Sequence, residues 1–359
     1  MESKKPTIFL TGATGLIGSY LLKILLENNH KIYVLARSKK DKTAKDRVIE
    51  SVKFWDETVL SKNLSNLTVL EGDITQDNLG LDKTSQDILK NEVEEVYHSA
   101  ATITFNLPLA EARKINLGGV KNVLDLALGW KQAGRLKKVN QMSTAYVCGD
   151  YKGVFREDNL ELGQGFITTY EQAKFEAEKL VNEYRKNGLW IDIFRIPVAG
   201  AESTTGKTPI LQAFSRMVEL WSKELFDVFP GKDLLFDYIP VDLLCESIVC
   251  LSSHAKLKNQ NYHPFSAEKT SLNTVIDIAS KFAGFKKPRL VTFAELESFG
   301  LTPAQKAILS YHISFFNRSV TLDSTKTLTI LRGHGFAFTP LNEEMLLKAL
   351  SYFKDSSKK

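Results

Sequence analysis

The stretch Thr11-Gly12-Ala13-Thr14-Gly15-Leu16-Ile17-Gly18 decides how this chain folds. It directly follows Ile8-Phe9-Leu10, a short apolar run of the kind that forms a buried strand, and it opens the amphipathic stretch 16–26, which reads as a helix. Glycine at a strand-to-helix turn lets the backbone tighten, approach a pyrophosphate closely and pack the helix against the sheet. The first turn of such a helix offers unpaired N–H groups and the positive end of its dipole to phosphate. Gly12, Thr14, Gly15, Leu16, Ile17 and Gly18 are therefore the first candidate ligands of a dinucleotide.

Working outward, strands are expected at 31–36, 67–70, 95–98, 138–142 and 190–194, with helices at about 43–60, 109–133 and 170–186. Strands alternating with helices give a parallel sheet covered on both faces, an α/β doubly wound architecture with its ligands at the carboxyl ends of the strands. After Gly200 the alternation loosens: 209–226 reads as helix, 234–241 as strand, and 271–282 and 342–353 as helices, with a polar, frayed tail from Lys354. The expected division is a dinucleotide-binding domain over 1–200 carrying the catalytic residues. A smaller α/β substrate lobe over 201–359 is interleaved with it.

Composition narrows the class. Hydrophobic residues make up 43% and charged residues 25%, ordinary for a globular enzyme, and the net charge of +5 comes without a stripe of Lys and Arg, against nucleic-acid binding. A mildly basic surface suits a phosphorylated cofactor or an acidic partner, or is simply solvated. Three cysteines (Cys148, Cys245, Cys250), odd in number and without metal-ligand spacing, point to buried thiols in a reducing compartment, with no metal. Met-Glu-Ser-Lys-Lys-Pro at the start has no apolar signal core, and no apolar run approaches the roughly 20 residues of a membrane span. A cytoplasmic protein without an integral membrane segment is expected.

The strand at 31–36 runs into Val34-Leu35-Ala36-Arg37-Ser38-Lys39-Lys40. A site for NAD would often place a carboxylate there for the ribose 2′-hydroxyl; a guanidinium instead suits a 2′-phosphate. NADP/NADPH is the expected cofactor, with Arg37 as ligand and Arg47 as a second cation; a solvated basic loop is the alternative. Tyr170 and Lys174 lie four apart at the start of a helix and share a face. A free phenol titrates near 10, and a neighbouring ammonium, with the positive nicotinamide, is expected to bring it down. Ser143 and Thr144 emerge at the carboxyl end of the preceding strand, where one hydroxyl can polarise a carbonyl.

Together the glycine turn, Gly72-Asp73-Ile74-Thr75, Asn116, Ser143-Thr144, Tyr170/Lys174, Pro197 and Asp237-Tyr238-Ile239-Pro240-Val241-Asp242 resemble an extended short-chain dehydrogenase/reductase over nearly the whole chain. The resemblance implies that Thr144, followed by Ala145 to Gly149, is the catalytic hydroxyl and Tyr170 the proton donor, with Lys174 tuning Tyr170 and holding the ribose. It implies that Asp73 and Ile74 flank the adenine, that Ala100, Ala101 and Thr102 line the cleft, and that Pro197 and Val198 meet the carboxamide. Asn116 is counted with the cofactor site, although a structural role is the commoner one. Val96-Tyr97-His98-Ser99-Ala100-Ala101-Thr102-Ile103-Thr104-Phe105, Asn116 to Val123 and Ala44 to Arg47 resemble the thioester reductase and fatty acyl-CoA reductase (male-sterility-like) branch.

That branch implies NADPH-dependent reduction of an acyl thioester on coenzyme A or a carrier protein to aldehyde or alcohol. No adenylation or carrier domain fits before Thr7, so a carrier would be met in trans, aided by a basic rim on the C-terminal lobe. The acyl cavity is expected along 211–229, His98 is expected to be satisfied by backbone, and Leu322-Asp323-Ser324 is expected to be structural despite a faint likeness to a carrier attachment site. Three rivals stay open: an extended reductase of a free ketone or steroid, a nucleotide-sugar epimerase or dehydratase, and a non-catalytic NADP-binding protein. Ala145-Tyr146 after Thr144 lacks the acidic residue of the sugar dehydratases. Monomer and homodimer are both compatible with the sequence.

Overall fold

The computed structural model describes residues 5–105, 107–209, 213–236, 238–254, 257–316 and 320–356. Its N-terminal half runs β1 (Ile8–Thr11), α1 (Leu16–Glu27), β2 (Ile32–Ala36), α2 (Ala44–Trp55), α3 (Glu57–Asn63), β3 (Leu67–Glu71), α4 (Lys83–Glu92) and β4 (Glu95–His98). There follow α5 (Leu109–Asn116), α6 (Gly118–Gln132), β5 (Lys138–Thr144), β6 (Gly153–Phe155), α7 (Thr169–Lys186), β7 (Ile191–Ile196) and β8 (Val198–Gly200). Beyond these come α8 (Ala213–Ser222), β9 (Val228–Pro230), β10 (Leu235–Phe236), β11 (Tyr238–Pro240), α9 (Val241–Ser252), β12 (Asn261–Tyr262) and β13 (Thr270–Ser271). The last elements are α10 (Leu272–Ala283), β14 (Arg289–Val291), α11 (Phe293–Leu296), α12 (Pro303–Phe316), β15 (Val320–Leu322), α13 (Thr325–Gly333) and α14 (Glu343–Ser356).

Seven strands pair in the order β12-β7-β5-β4-β1-β2-β3, every pair parallel. β1, β2, β5 and β7 are buried along their whole length, as strands covered on both faces must be. One apolar core, with Ile8, Leu10, Val34 and Phe194, packs α1, α2 and α9 on one face, and another, with Phe9, Leu35, Val96 and Val139, packs α6 and α7 on the other. A third, around Trp221, Phe229, Ile276 and Leu346, belongs to α8, β9, α10 and α14. The sheet's order reverses between β1 and β4, and there the strand ends diverge into a crevice.

Three expectations need correction. The helix expected over 43–60 breaks at Asp56, whose extended backbone and carboxylate, accepting the Thr58 N–H at 2.8 Å, start a new helix. The helix expected over 109–133 parts at Leu117 into α5 and α6. The strand expected over 234–241 is two short pieces, β10 and β11, and Pro240 then caps α9, an apolar helix that periodicity did not separate from strand. Asp237 lies outside the described residues. Among the described residues no helix is long and apolar enough to cross a membrane.

A buried ionic cluster ties these layers together. Arg195 of β7 and Glu178 of α7 form an ion pair at 2.8 Å with side chains 0% and 2% exposed. Ser143 of β5 donates to Glu178 at 2.5 Å, and Arg195 donates to the carbonyls of Glu157 at 3.1 Å and Asn159 at 2.7 Å while lying over the Phe155 ring. The Glu157 carboxylate accepts the backbone N–H groups of Lys326 and Thr327 at the start of α13. Removing one partner leaves the other charge buried, so Glu178→Gln is expected to cost about 3–5 kcal/mol in urea unfolding. A loss below about 1 kcal/mol, the range of a surface pair, would show that the cluster does not hold the layers.

Candidate active site

The crevice between β1 and β4 forms a cleft of about 440 Å³ whose walls include Thr11, Gly12, Thr14, Gly15, Arg37, Arg47, Asp73, Ile74 and residues 99–104. Gly12 has φ +81°, and a Cβ there would lie 2.6 Å from the backbone N of Ala100. A Cβ on Gly18 would overlap the Gly12 carbonyl, so the last glycine packs helix on turn and does not face the cleft. Gly15 caps α1 without any side chain, leaving the first-turn N–H groups to the cleft, while Leu16 and Ile17 pack against the first core. A cradle that a Cβ would fill, facing an uncapped helix start, fits a pyrophosphate.

At the far end Arg37, its side chain 69% exposed, pairs with Asp73 at 3.2 Å. Asp73 also accepts both the N–H and the hydroxyl of Thr75; burial raises its pKa, yet these bonds and Arg37 outweigh burial and hold the carboxyl below the usual range. Arg47 donates to the Arg37 carbonyl and, at 3.4 Å, to the Thr14 hydroxyl. A carboxylate absent from the end of β2 arrives from β3 instead: Glu71 accepts the Ser38 N–H at 3.3 Å. The Ile74 carbonyl is fixed by Asn122 at 2.8 Å. Asn116 spends both ends of its amide on the Thr102 backbone, at 2.9 and 3.0 Å, and so reaches the cleft only through the wall it braces.

The reacting end lies at the carboxyl ends of β4 and β5. Thr168 caps α7 by accepting the Glu171 N–H, which starts the helix so that Tyr170 and Lys174 fall in its first turns, both buried. The Thr144 hydroxyl donates to the Ile196 carbonyl at 3.2 Å and accepts the Tyr146 N–H at 3.3 Å, and it faces the Tyr170 phenol closely enough to pull its pKa down. Ser143, on the opposite face of the strand, is committed to Glu178, so of the two hydroxyls only Thr144 meets Tyr170. Phe105 packs edge-on against the Tyr170 ring at 5.2 Å, and Thr169 donates to the carbonyls of Phe105 and Leu107, clamping that loop beside the tyrosine.

The protein's own groups, apart from the nicotinamide charge on which the expected lowering also rests, move the tyrosine pKa upward. Burial pushes Tyr170 up to about 12, against a smaller downward pull from Thr144. The Lys174 ammonium donates to the Met142 carbonyl at 2.8 Å, and the downward pull on Tyr170 comes from Thr144. Burial takes Lys174 down to about 8, with Glu178 opposing. His98 is also corrected: its Nδ1 meets the Thr11 hydroxyl at 2.7 Å and not backbone, its Nε2 has no hydrogen-bond partner, and burial together with the Lys174 charge lowers it to about 3. It is neutral and no acid at physiological pH.

Pro197 and Val198 lie outside the residues that wall the cleft; Pro197 sits beside Phe236 and Tyr238, and Val198 pairs with Tyr238. Residues 211 and 212 of the expected acyl-binding stretch are outside the described residues, and Met217, Val218, Trp221, Phe226 and Phe229 are buried in the third core. Ser324 is buried before α13. Cys148 and Cys245 are buried thiols and Cys250 is half-buried. Among the described residues no group of three His, Cys, Asp or Glu could hold a metal.

A doubly wound sheet with a glycine cradle at its switch point, and Thr144, Tyr170 and Lys174 beside it, is the arrangement of the extended short-chain dehydrogenase/reductases. The model of a family of NAD(P)-binding domains, described as Male sterility protein, matches residues 10–248, and the chain belongs to that family. It is 27% identical over 370 residues to a linear gramicidin synthase of Brevibacillus parabrevis, covering 96% of this chain and 7% of that protein. To a carboxylic acid reductase of Segniliparus rugosus it is 30% identical over 291 residues, covering 73% of this chain and 24% of that protein. The chain thus spans less than a quarter of either relative. The solved terminal R domain of the myxalamid PKS-NRPS pathway superposes with a TM-score of 0.84 at 26% identity, covering 100% of this chain and 93% of that one.

Phe105 enters the sequence analysis only as the end of the branch motif and not as a site residue, and Thr169 and Glu71 do not enter it, because each acts across the fold without a local signal. The cradle itself is testable. Gly12→Ala is expected to abolish dinucleotide binding by fluorescence titration, whereas Gly134→Ala, with the same φ of +81° but nothing within 4 Å, keeps it. Equal affinities in the two variants would refute the close-approach role of Gly12.

Proposed function

We propose that the chain reduces an acyl thioester, held on coenzyme A or on a carrier protein met in trans, to aldehyde or alcohol with NADPH as a cytoplasmic enzyme. The observation that carries this is the burial together of Thr144, Tyr170 and, one turn on, Lys174, in a member of a family whose relatives include a carboxylic acid reductase and a solved terminal R domain. NADPH is favoured over NADH by two cations at the rim, Arg37 and Arg47, facing the carboxylates of Asp73, which pairs with Arg37, and of Glu71, which is taken up by the Ser38 N–H. Residues 1–200 hold the dinucleotide and 201–359 supply the interleaved substrate lobe. Asp73 and Ile74 flank the adenine, Ala100 to Thr102 line the cleft with Asn116 behind them, and Pro197 and Val198 meet the carboxamide.

Bound in the cleft, NADPH supplies the hydride that adds to the thioester carbonyl carbon. Thr144 holds the carbonyl oxygen as negative charge develops, and Tyr170 donates its phenolic proton to that oxygen. The carbon–sulfur bond of the hemithioacetal then breaks, releasing thiol and aldehyde; a second reduction of the aldehyde consumes another NADPH and gives the alcohol. A phenol pushed up to about 12 stays protonated at neutral pH, the form a reductase needs.

Mixing the protein with NADPH and acyl-CoA or acyl-carrier thioesters should consume NADPH with release of one thiol; consumption only with a free ketone overturns the reading. Tyr170→Phe is expected to lower kcat by about 10²–10⁴-fold, the worth of a positioned acid, with NADPH affinity unchanged. Arg37→Ala should weaken NADPH by about 1.5–3 kcal/mol, the value of a charge-assisted bond, and leave NADH unaffected; equal losses for both would remove the 2′-phosphate role.

A lysine whose pKa is depressed loses its proton at lower pH than usual, so the Lys174 ammonium is present below about 8 and lost above it. The rate should therefore fall as pH rises through that value. A profile flat to pH 10 on the alkaline side (roughly the free lysine pKa) would show that the charge on Lys174 does not matter.

A further inference from the structure

Beyond Arg47 a second cleft, of about 600 Å³, opens between α2 and α14. Its floor is aromatic: Phe54 of α2 faces Tyr352 and Phe353 of α14, with the Phe54 and Tyr352 rings edge-on at 6.5 Å. Its rim is basic. Lys39, Lys42 and Arg47 line it against one carboxylate, Glu50, which is paired with Lys42 at 2.7 Å. The bonds of Arg47 go to a carbonyl and a hydroxyl, both neutral, so its charge is not compensated by them. The two clefts share Thr14 and Arg47 and no other lining residue.

The volume falls within the roughly 300–1,000 Å³ of small-molecule sites, and an aromatic floor with a few charged groups at one edge is how such sites are built. Rings accept the face of a heteroaromatic base, and clustered Lys and Arg meet phosphate oxygens. A protein partner would need an interface of roughly 1,000 Å² or more, far beyond one such cleft. Resting on the thioester reductase reading, we infer that this cleft seats the 3′-phosphorylated adenosine diphosphate end of coenzyme A. The substrate is then a free coenzyme A ester whose pantetheine arm must extend from this cleft to Tyr170, with NADPH bound at the same time.

Binding can be read without turnover, so the fate of this site and that of the reductase reading separate. Adenosine 3′,5′-bisphosphate, titrated by calorimetry into the full chain saturated with NADP, should bind with one site. Tyr352→Ala, and separately Lys39→Glu with Lys42→Glu, should each raise its Kd at least tenfold while the Kd for NADP, which also reports folding, stays within twofold. No binding to the NADP-saturated protein, displacement of the bisphosphate by NADP, or variants with unchanged affinity each overturn the proposal. In turnover, KM for an acyl-CoA should lie at least tenfold below that for the same acyl group on pantetheine alone. Equal values, or turnover only with a carrier-bound thioester, overturn it while leaving thioester reduction standing.

Discussion

The buried pair between Arg195 and Glu178 is the constraint on which the rest of the site depends. Neither charge reaches water, so each must find every partner inside the protein, and those partners come from β5, from the segment after β6 and, through Glu157, from α13. A charge pair that demands so many ligands has few alternative geometries. It sets the height and rotation of α7 over β5, which in turn decides where Tyr170 and Lys174 stand relative to Thr144. By occupying Ser143 it also leaves Thr144 as the hydroxyl that meets the tyrosine.

Burial does the remaining electrostatic work, and it does so in opposite directions for acids and bases. The same loss of solvent raises the Tyr170 phenol and lowers Lys174 and His98. The proton that a reduction consumes is therefore kept on the tyrosine, and the imidazole below the cleft is kept neutral, so that it joins Thr11 to β4 without adding charge beside Lys174. Lys174, fixed on the Met142 carbonyl, is held in place more than it is used to acidify its neighbour.

The phosphate-binding end follows a different logic. There the charges are exposed and exchangeable: Arg37 pairs with Asp73 across the mouth of the cleft, and Arg47 leans on neutral oxygens between two clefts. Exposed pairs are weak and screened, which suits groups that must open to admit a phosphate. The rigid backbone cradle at Gly12 needs no such freedom, because its shape alone excludes a side chain.

By itself the sequence determined the alternation of strands and helices, the parallel sheet, the glycine cradle and the placing of Tyr170 and Lys174 one turn apart on α7, because each is a local pattern: short apolar runs, a turn that needs glycine, two residues at helical spacing. Where local pattern is mute, the reading failed. α9 starts at Val241, inside the stretch that reads as strand, Asp56 breaks a helix only because its carboxylate finds the Thr58 N–H, and 234–241 divides at a point that hydrophobicity does not mark. Only the tertiary structure decided that Ser143 belongs to Glu178, that Asn116 braces Thr102, that Glu71 answers Ser38 from the neighbouring strand, and that Phe105 packs on Tyr170. It also set the direction in which the protein's own groups move the tyrosine, which is upward. Proximity to a lysine can be read from spacing, whereas the cost of losing water depends on everything that surrounds the group.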